Sequence, residues 1–241
     1  MAKKLVMITA YDYPSASIAD SAGVDLILVG DSAANVIHGF DSTTKIGMKE
    51  MLIHVGDVCR AKPKAIVIAD MPFLSYSNPK IALKNAKQFL ALGANAVKIE
   101  GAKMDVFKIF KKNKIKVMGH LGYLPQTQSK PKVAREEEKL LKEAKALEKA
   151  GCSWLVLELV PETIARKISK ELKIPTIGIG AGRYCDGQVL VFHDLLGLSP
   201  GNFNPRFLKK YENLREKAVK AVSKYAKEVR AGKFPEKKHT Y

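Results

Sequence analysis

Short apolar runs recur along the chain, each closed by a turn signal and most followed by a longer helical pattern, and this rhythm is that of parallel βα units. Strands are expected near Leu5–Thr9, Asp25–Val29, Ala65–Ala69, Ala96–Ile99, Lys116–Gly119, Trp154–Leu157, Thr176–Ile179 and Gln188–Phe192. The eighth is the weakest, because Thr176 to Gln188 barely accommodates a parallel crossover, which normally takes about a dozen residues. Helices are expected over Pro14–Ala22, Lys49–Ala61, Pro79–Leu92, Met104–Lys112, Arg135–Ala150, Pro161–Leu172 and Arg206–Ala231. Pro14, Pro79 and Pro161 stand where a first turn tolerates proline, and Gly23, Gly93 and Gly151 where a helix stops. At 241 residues the chain suits one (β/α)₈ TIM-type barrel, read as a single domain over 1–241, whose last helix is long enough to reach a neighbouring subunit.

Four of the apolar runs end in an acid: Val-Gly-Asp31, Ile-Ala-Asp70, Lys98-Ile-Glu100 and Leu-Val-Leu-Glu158. In a barrel all four point to the face at the C-terminal ends of the strands, where such folds assemble their sites. Gathered carboxylates repel one another unless a cation or a proton offsets them. A hard divalent cation such as Mg²⁺ answers this economically, since it takes one or two carboxylates and leaves positions for water and for the two oxygens of a 2-oxo acid. Taken singly, each acid reads equally well as a helix cap or a lysine partner. Four together favour a shared cup.

Lys98 and Glu100 are two apart and share a strand face. The lysine either neutralises negative charge developing on a substrate or pairs structurally with Asp70 or Glu100. His120 either donates a hydrogen bond to substrate or is a satisfied rim histidine. The run Gly178-Ile-Gly180-Ala-Gly182 either lets backbone N–H groups approach an anion or is a tight turn that requires glycine, and it lacks dinucleotide-binding spacing. Phe40, Met71, Phe73 and Tyr76 flank strand ends and read as packing residues.

Charge and cysteines narrow the partners. The chain carries 41 Lys+Arg against 24 Asp+Glu, a net +17 that favours anionic ligands. The excess lies in Lys103 to Lys116 and Arg206 to Lys238, spaced as solvated helix faces without the interleaved aromatics of a nucleic-acid stripe, so no nucleic-acid partner is expected. Cys59, Cys152 and Cys185 are odd in number and widely spaced, which indicates neither a disulfide framework nor a zinc site. No secretory or membrane-length apolar run is present, and a soluble cytoplasmic protein is expected.

In order along the chain, Val-Gly-Asp31-Ser32, Gly39-Phe-Asp41-Ser42-Thr43, Ala69-Asp70-Met-Pro72-Phe73, Val97-Lys98-Ile-Glu100-Gly101, Gly119-His120-Leu-Gly122, Leu-Val-Leu-Glu158 and Gly178-Ile-Gly180-Ala-Gly182 closely resemble the ketopantoate hydroxymethyltransferase family. The resemblance implies a barrel of the phosphoenolpyruvate mutase/isocitrate lyase kind. It implies transfer of a one-carbon unit from 5,10-methylenetetrahydrofolate to 3-methyl-2-oxobutanoate, giving 2-dehydropantoate on the way to pantothenate and coenzyme A. By position, Asp31 and Asp70 would ligate Mg²⁺ and Glu100 would touch it through water. Asp31, Ser32, Asp70, Lys98 and His120 would line the substrate site. Glu158 would be the base that removes the proton beside the keto group, with Lys98 and the metal stabilising the enolate. A homo-oligomer, commonly a decamer, is implied as well.

One departure stands out: after the His120 motif, Gln126-Thr-Gln-Ser-Lys130-Pro-Lys-Val reaches the acidic helix start Glu136-Glu-Glu138 sooner than the family's longer, glycine-rich connection does. Two other readings compete. A different enolising lyase or mutase of the same superfamily would carry a Lys-Lys-Cys-Gly-type loop, and no such segment is found. A non-catalytic basic binding protein would have no reason to keep the complete set Asp31, Asp70, Lys98, Glu100, His120 and Glu158.

Overall fold

In a computed structural model that describes residues 3–199 and 204–241, the apolar runs form eight parallel strands. They are β1 (Leu5–Thr9), β2 (Leu26–Val29), β3 (Ile66–Asp70), β4 (Ala96–Lys98), β5 (Val117–Gly122), β6 (Trp154–Glu158), β7 (Thr176–Ile179) and β8 (Gly187–Leu190). They pair in chain order, and β1 returns to β8 with Met7 opposite Val189, which closes the barrel. One side-chain set points inward, with Met7, Leu26, Leu28, Ile68, Met118, Val156, Ile177 and Val189 packed as the barrel interior. The intervening residues Ile27, Val29, Val67, Val97, Val117 and Leu155 face the helices and are also buried. Coverage on both faces is why these strands read as continuous apolar runs rather than alternating ones.

Among the described residues, seven helices lie between β1 and β7: α1 (Tyr13–Ser21), α2 (Ala33–Val36), α3 (Met48–Arg60), α4 (Pro79–Ala91), α5 (Met104–Lys112), α6 (Glu137–Ala150) and α7 (Glu162–Glu171). The Asp12 carboxylate accepts from Ser15 N at 2.8 Å and the Asn78 side chain from Ile81 N at 3.0 Å, each capping a helix whose first turn holds the expected proline. Pro161 instead lies one residue outside α7. The four-residue α2 and a 3₁₀ turn at Thr43–Lys45 fall where no helix is expected, since pieces so short leave no periodicity to read.

The β7–β8 connection has no helix; residues 180–186 make it alone. Extended chain advances ~3.3 Å per residue, so this link reaches ~23 Å, enough to return along a strand of ~13 Å. The Asp186 carboxylate secures the return by accepting from both N and Oγ1 of Thr176 at 2.9 Å. At Gly182, with φ +77°, a Cβ would lie 2.4 Å from Glu162 Cγ, so only glycine fits. The Glu162 carboxylate also takes the neighbouring Arg183 N–H at 3.2 Å. The glycine run thus serves a tight turn. Strand β8 ends at Leu190, and Phe192 opens a short helical turn, α8 (Phe192–Leu195), instead of ending the strand as expected.

The described residues divide into two compact units, the first running to Phe192 and the second from His193. In the second, α9 spans Leu214–Arg230 and not the expected Arg206–Ala231. Tyr211 N and Leu214 N donate to the carbonyls of Leu195 and Leu196 at 2.8 and 2.9 Å, which holds the residues before α9 as a loop. One stripe of α9, Val219, Val222, Tyr225 and Val229, is exposed, as is every residue of the helix that is not half-buried. Among the described residues no helix is long and apolar enough to cross a membrane.

Candidate active site

Parallel strands in one closed sheet place all their C-terminal ends at the same rim. Asp31 and Ser32 follow β2, Asp70 ends β3, Lys98 ends β4 with Glu100 two residues on, His120 lies in β5 and Glu158 ends β6. The sheet register sets Asp70 beside Lys98 and Gly122 beside Glu158. Residues up to 127 positions apart in sequence therefore share one small volume, and Asp31, Asp70, Lys98, Glu100 and His120 are each at most 5% exposed.

Lys98 Nζ donates to both oxygens of Asp70 at 2.8 Å. Asp31 reaches the same carboxylate through its backbone N–H, at 3.4 Å from Asp70 Oδ2. His120 lies between the other two acids, with Nδ1 3.6 Å from Glu100 Oε1 and Nε2 3.2 Å from Glu158 Oε2. Neither ring nitrogen makes a well-aligned hydrogen bond within the protein, although both are buried. Ser32 stands at the edge, its Oγ 2.9 Å from the hydroxyl of the buried Tyr11. The expected set thus meets, with the Ser32 side chain turned to Tyr11.

The site is short of positive charge. Burial, then the neighbouring Asp70 and Glu100, push the Asp31 carboxyl well above the usual carboxylate range, against the pull of Lys98. Glu100 is pushed up to about 7, chiefly by burial. Burial alone would push the Lys98 ammonium down, yet the charges of Asp70, Glu100 and Asp31 outweigh it and hold Lys98 above its ordinary value. One lysine serves the whole cluster, and each carboxyl added to the cup is held off its proton less easily than in water.

Two residues not expected at the site complete its geometry. Gln126, in the loop after β5, is 3% exposed and reaches three strand ends. Its Nε2 donates to Asp31 Oδ2 at 2.8 Å and to the Met71 carbonyl at 3.0 Å, and its backbone N–H donates to Glu100 Oε2 at 3.1 Å. Tyr76, expected only to pack, donates its hydroxyl to Gln126 Oε1 and accepts from Glu100 N at 3.4 Å. Phe40 and Phe73, also expected to pack, are instead exposed, at 42% and 38%. Only the burial of a polar loop residue marks Gln126, and burial is not visible in sequence.

The donor set fits a small, hard divalent cation. Asp31 and Asp70 offer oxygen only, they adjoin, and their negative charge exceeds what Lys98 offsets. Among the described residues no three His, Cys, Asp or Glu side chains are arranged to hold a metal by themselves. Two carboxylates with the remaining positions left to water and substrate is how Mg²⁺ is usually held, whereas zinc sites take three or four protein ligands.

The family model for ketopantoate hydroxymethyltransferase matches residues 1–237. The chain belongs to the ketopantoate hydroxymethyltransferase family. Among its relatives, the 3-methyl-2-oxobutanoate hydroxymethyltransferase of Thermotoga neapolitana is 50% identical over 99% of this chain and 92% of its own length. That of Staphylothermus marinus is 50% identical over 99% of this chain and 91% of its own. Solved structures of similar shape include a 2,3-dimethylmalate lyase of the phosphoenolpyruvate mutase/isocitrate lyase superfamily, with a TM-score of 0.62, 18% identity and 99% and 87% of the two chains covered. Phosphonopyruvate hydrolase in complex with oxalate and Mg²⁺ gives a TM-score of 0.65 at 14% identity, over 96% and 84% of the two chains. At those identities the likeness is one of fold, and it agrees with the closed barrel of this family member.

Proposed function

We propose that the chain transfers a hydroxymethyl group from 5,10-methylenetetrahydrofolate to 3-methyl-2-oxobutanoate, forming 2-dehydropantoate for pantothenate and coenzyme A synthesis, with Mg²⁺ held by Asp31 and Asp70. Family membership carries the reaction, and the buried, undercompensated acids at one strand rim carry the metal. Bound there, Mg²⁺ would act as a Lewis acid on the two oxygens of the 2-oxo acid, a contribution of several kcal/mol to enolate formation.

The protein's own groups divide the remaining work. Glu158 is less buried than the other acids, its side chain 18% exposed, which leaves it open to an incoming substrate; it accepts the C3 proton. Lys98, fixed by Asp70, presents positive charge where the enolate oxygen develops. His120, with both nitrogens free of well-aligned protein partners, hydrogen-bonds the substrate, and Ser32 lines the edge. In the net reaction, C3 forms a bond to the methylene carbon, both methylene–nitrogen bonds of the folate break, one water supplies the hydroxyl, and the folate nitrogens take up the C3 proton and the second proton of that water as tetrahydrofolate leaves. A cavity of about 230 Å³ under the loop after β5 combines Leu121, Leu124, Val133 and Leu140 with Lys132 and Lys139 and with Glu136 and Glu143, an apolar lining that could take an aryl group of the folate. The exposed apolar stripe of α9 supports a homo-oligomer.

Exchange of the C3 proton of 3-methyl-2-oxobutanoate into deuterated solvent tests metal, base and substrate together. Exchange should need Mg²⁺ and should vanish in Glu158→Gln while 2-oxo acid binding persists. Undiminished exchange in that variant would remove Glu158 from its role.

A further inference from the structure

We infer that Gln126 is a positioning residue for the cation site, fixing the Asp31 carboxylate without spending the negative charge that a cation needs; this rests on the Mg²⁺ reading above. The orientation of its amide is settled by its partners. The Met71 carbonyl can only accept, so the NH₂ end must face it and the adjoining Asp31 Oδ2, and Oε1 is left to accept from the Tyr76 hydroxyl. The Tyr76 oxygen in turn accepts from Glu100 N, while Gln126 N–H donates to the Glu100 carboxylate. The network closes on itself, and it ties Asp31 after β2, Met71 after β3 and Glu100 after β4 to one loop residue. With one Asp31 oxygen engaged by the amide, the carboxylate is less free to turn, and Asp31 is held next to Asp70.

Neutrality is the reason for an amide here. A lysine or arginine in the same place would hold Asp31 as firmly, but it would stand in for the cation and compete with it. An aliphatic residue would leave one oxygen of a carboxylate only 5% exposed without a donor. Hydrogen-bond partners behind metal ligands typically govern affinity by about 10–100-fold.

The test is calorimetric titration of metal-free, full-length protein with Mg²⁺, in wild type, Gln126→Leu, Gln126→Asn and Tyr76→Phe. Gln126→Leu should weaken Mg²⁺ binding by about 10–100-fold, with activity recovering as Mg²⁺ is raised, and Tyr76→Phe and Gln126→Asn should weaken it less. A purely structural role would lower Tm without moving Mg²⁺ affinity. Affinity within twofold of wild type in folded Gln126→Leu overturns the inference. If that variant does not fold, unchanged affinity in both Tyr76→Phe and Gln126→Asn overturns it as well. Wild-type protein that binds no Mg²⁺ would overturn the metal reading, and this inference with it.

Discussion

The Lys98 ammonium lies 2.8 Å from each oxygen of the Asp70 carboxylate, and both side chains are at most 5% exposed. Of the two partners open to this lysine on its strand face, the fold selects the one on the neighbouring strand, where the β3–β4 register sets the two residues side by side. Among the described residues, this pair holds the only ammonium in the cluster, against several acids.

Breaking that pair from the lysine side leaves the Asp70 carboxylate buried without a countercharge, only the Asp31 N–H remaining against it. Lys98→Met should therefore destabilise the metal-free protein by about 3–5 kcal/mol in urea unfolding. Adding Asp70→Asn to Lys98→Met should recover most of the loss, because no buried charge is then stranded. A double variant as unstable as the single one would show that the lysine stem, and not its charge, is what matters.

The pH dependence follows from Glu100, whose carboxyl is raised from an ordinary 4.5 to about 7 in the folded protein. Between those values the folded state keeps a proton that the unfolded chain has lost, so stability falls as pH rises across the window. Asp31, also raised, adds the same sign from a lower start. Melting of metal-free protein should show Tm dropping from roughly pH 5 to pH 8, and Glu100→Gln should flatten the decline. Mg²⁺ should restore more at the alkaline end, where protons no longer compete for the carboxylates. A Tm that rises over this range would contradict the assignment.

Gly122 joins the backbone of β5 to that of Glu158, the proposed base. Its φ is +98°, and a Cβ there would sit 2.1 Å from the Glu158 carbonyl oxygen, opposite which it pairs in the sheet. Gly122→Ala must displace the Glu158 backbone. It should cost about 1–3 kcal/mol of stability and lower kcat by on the order of 10²-fold, since a displacement near 1 Å suffices for that. Wild-type kcat in a folded Gly122→Ala protein would show that Glu158 tolerates movement.

The sequence by itself determined the barrel and the acid cup. Strands buried on both faces must be apolar throughout, so each polar residue that ends one marks the rim, and parallel order sends Asp31, Asp70, Glu100 and Glu158 to the same rim. Where constraint is not periodic, the sequence was silent or misleading. The tight β7–β8 link rests on Asp186 and on the close approach of Gly182 to Glu162, and the start of α9 rests on backbone bonds to Leu195 and Leu196. Which acid Lys98 would choose depended on strand register, and the arrival of Gln126 among the acids depended on how a loop folds back. Such contacts join residues distant in sequence through hydrogen bonds that leave no local pattern, and only the tertiary structure could decide them.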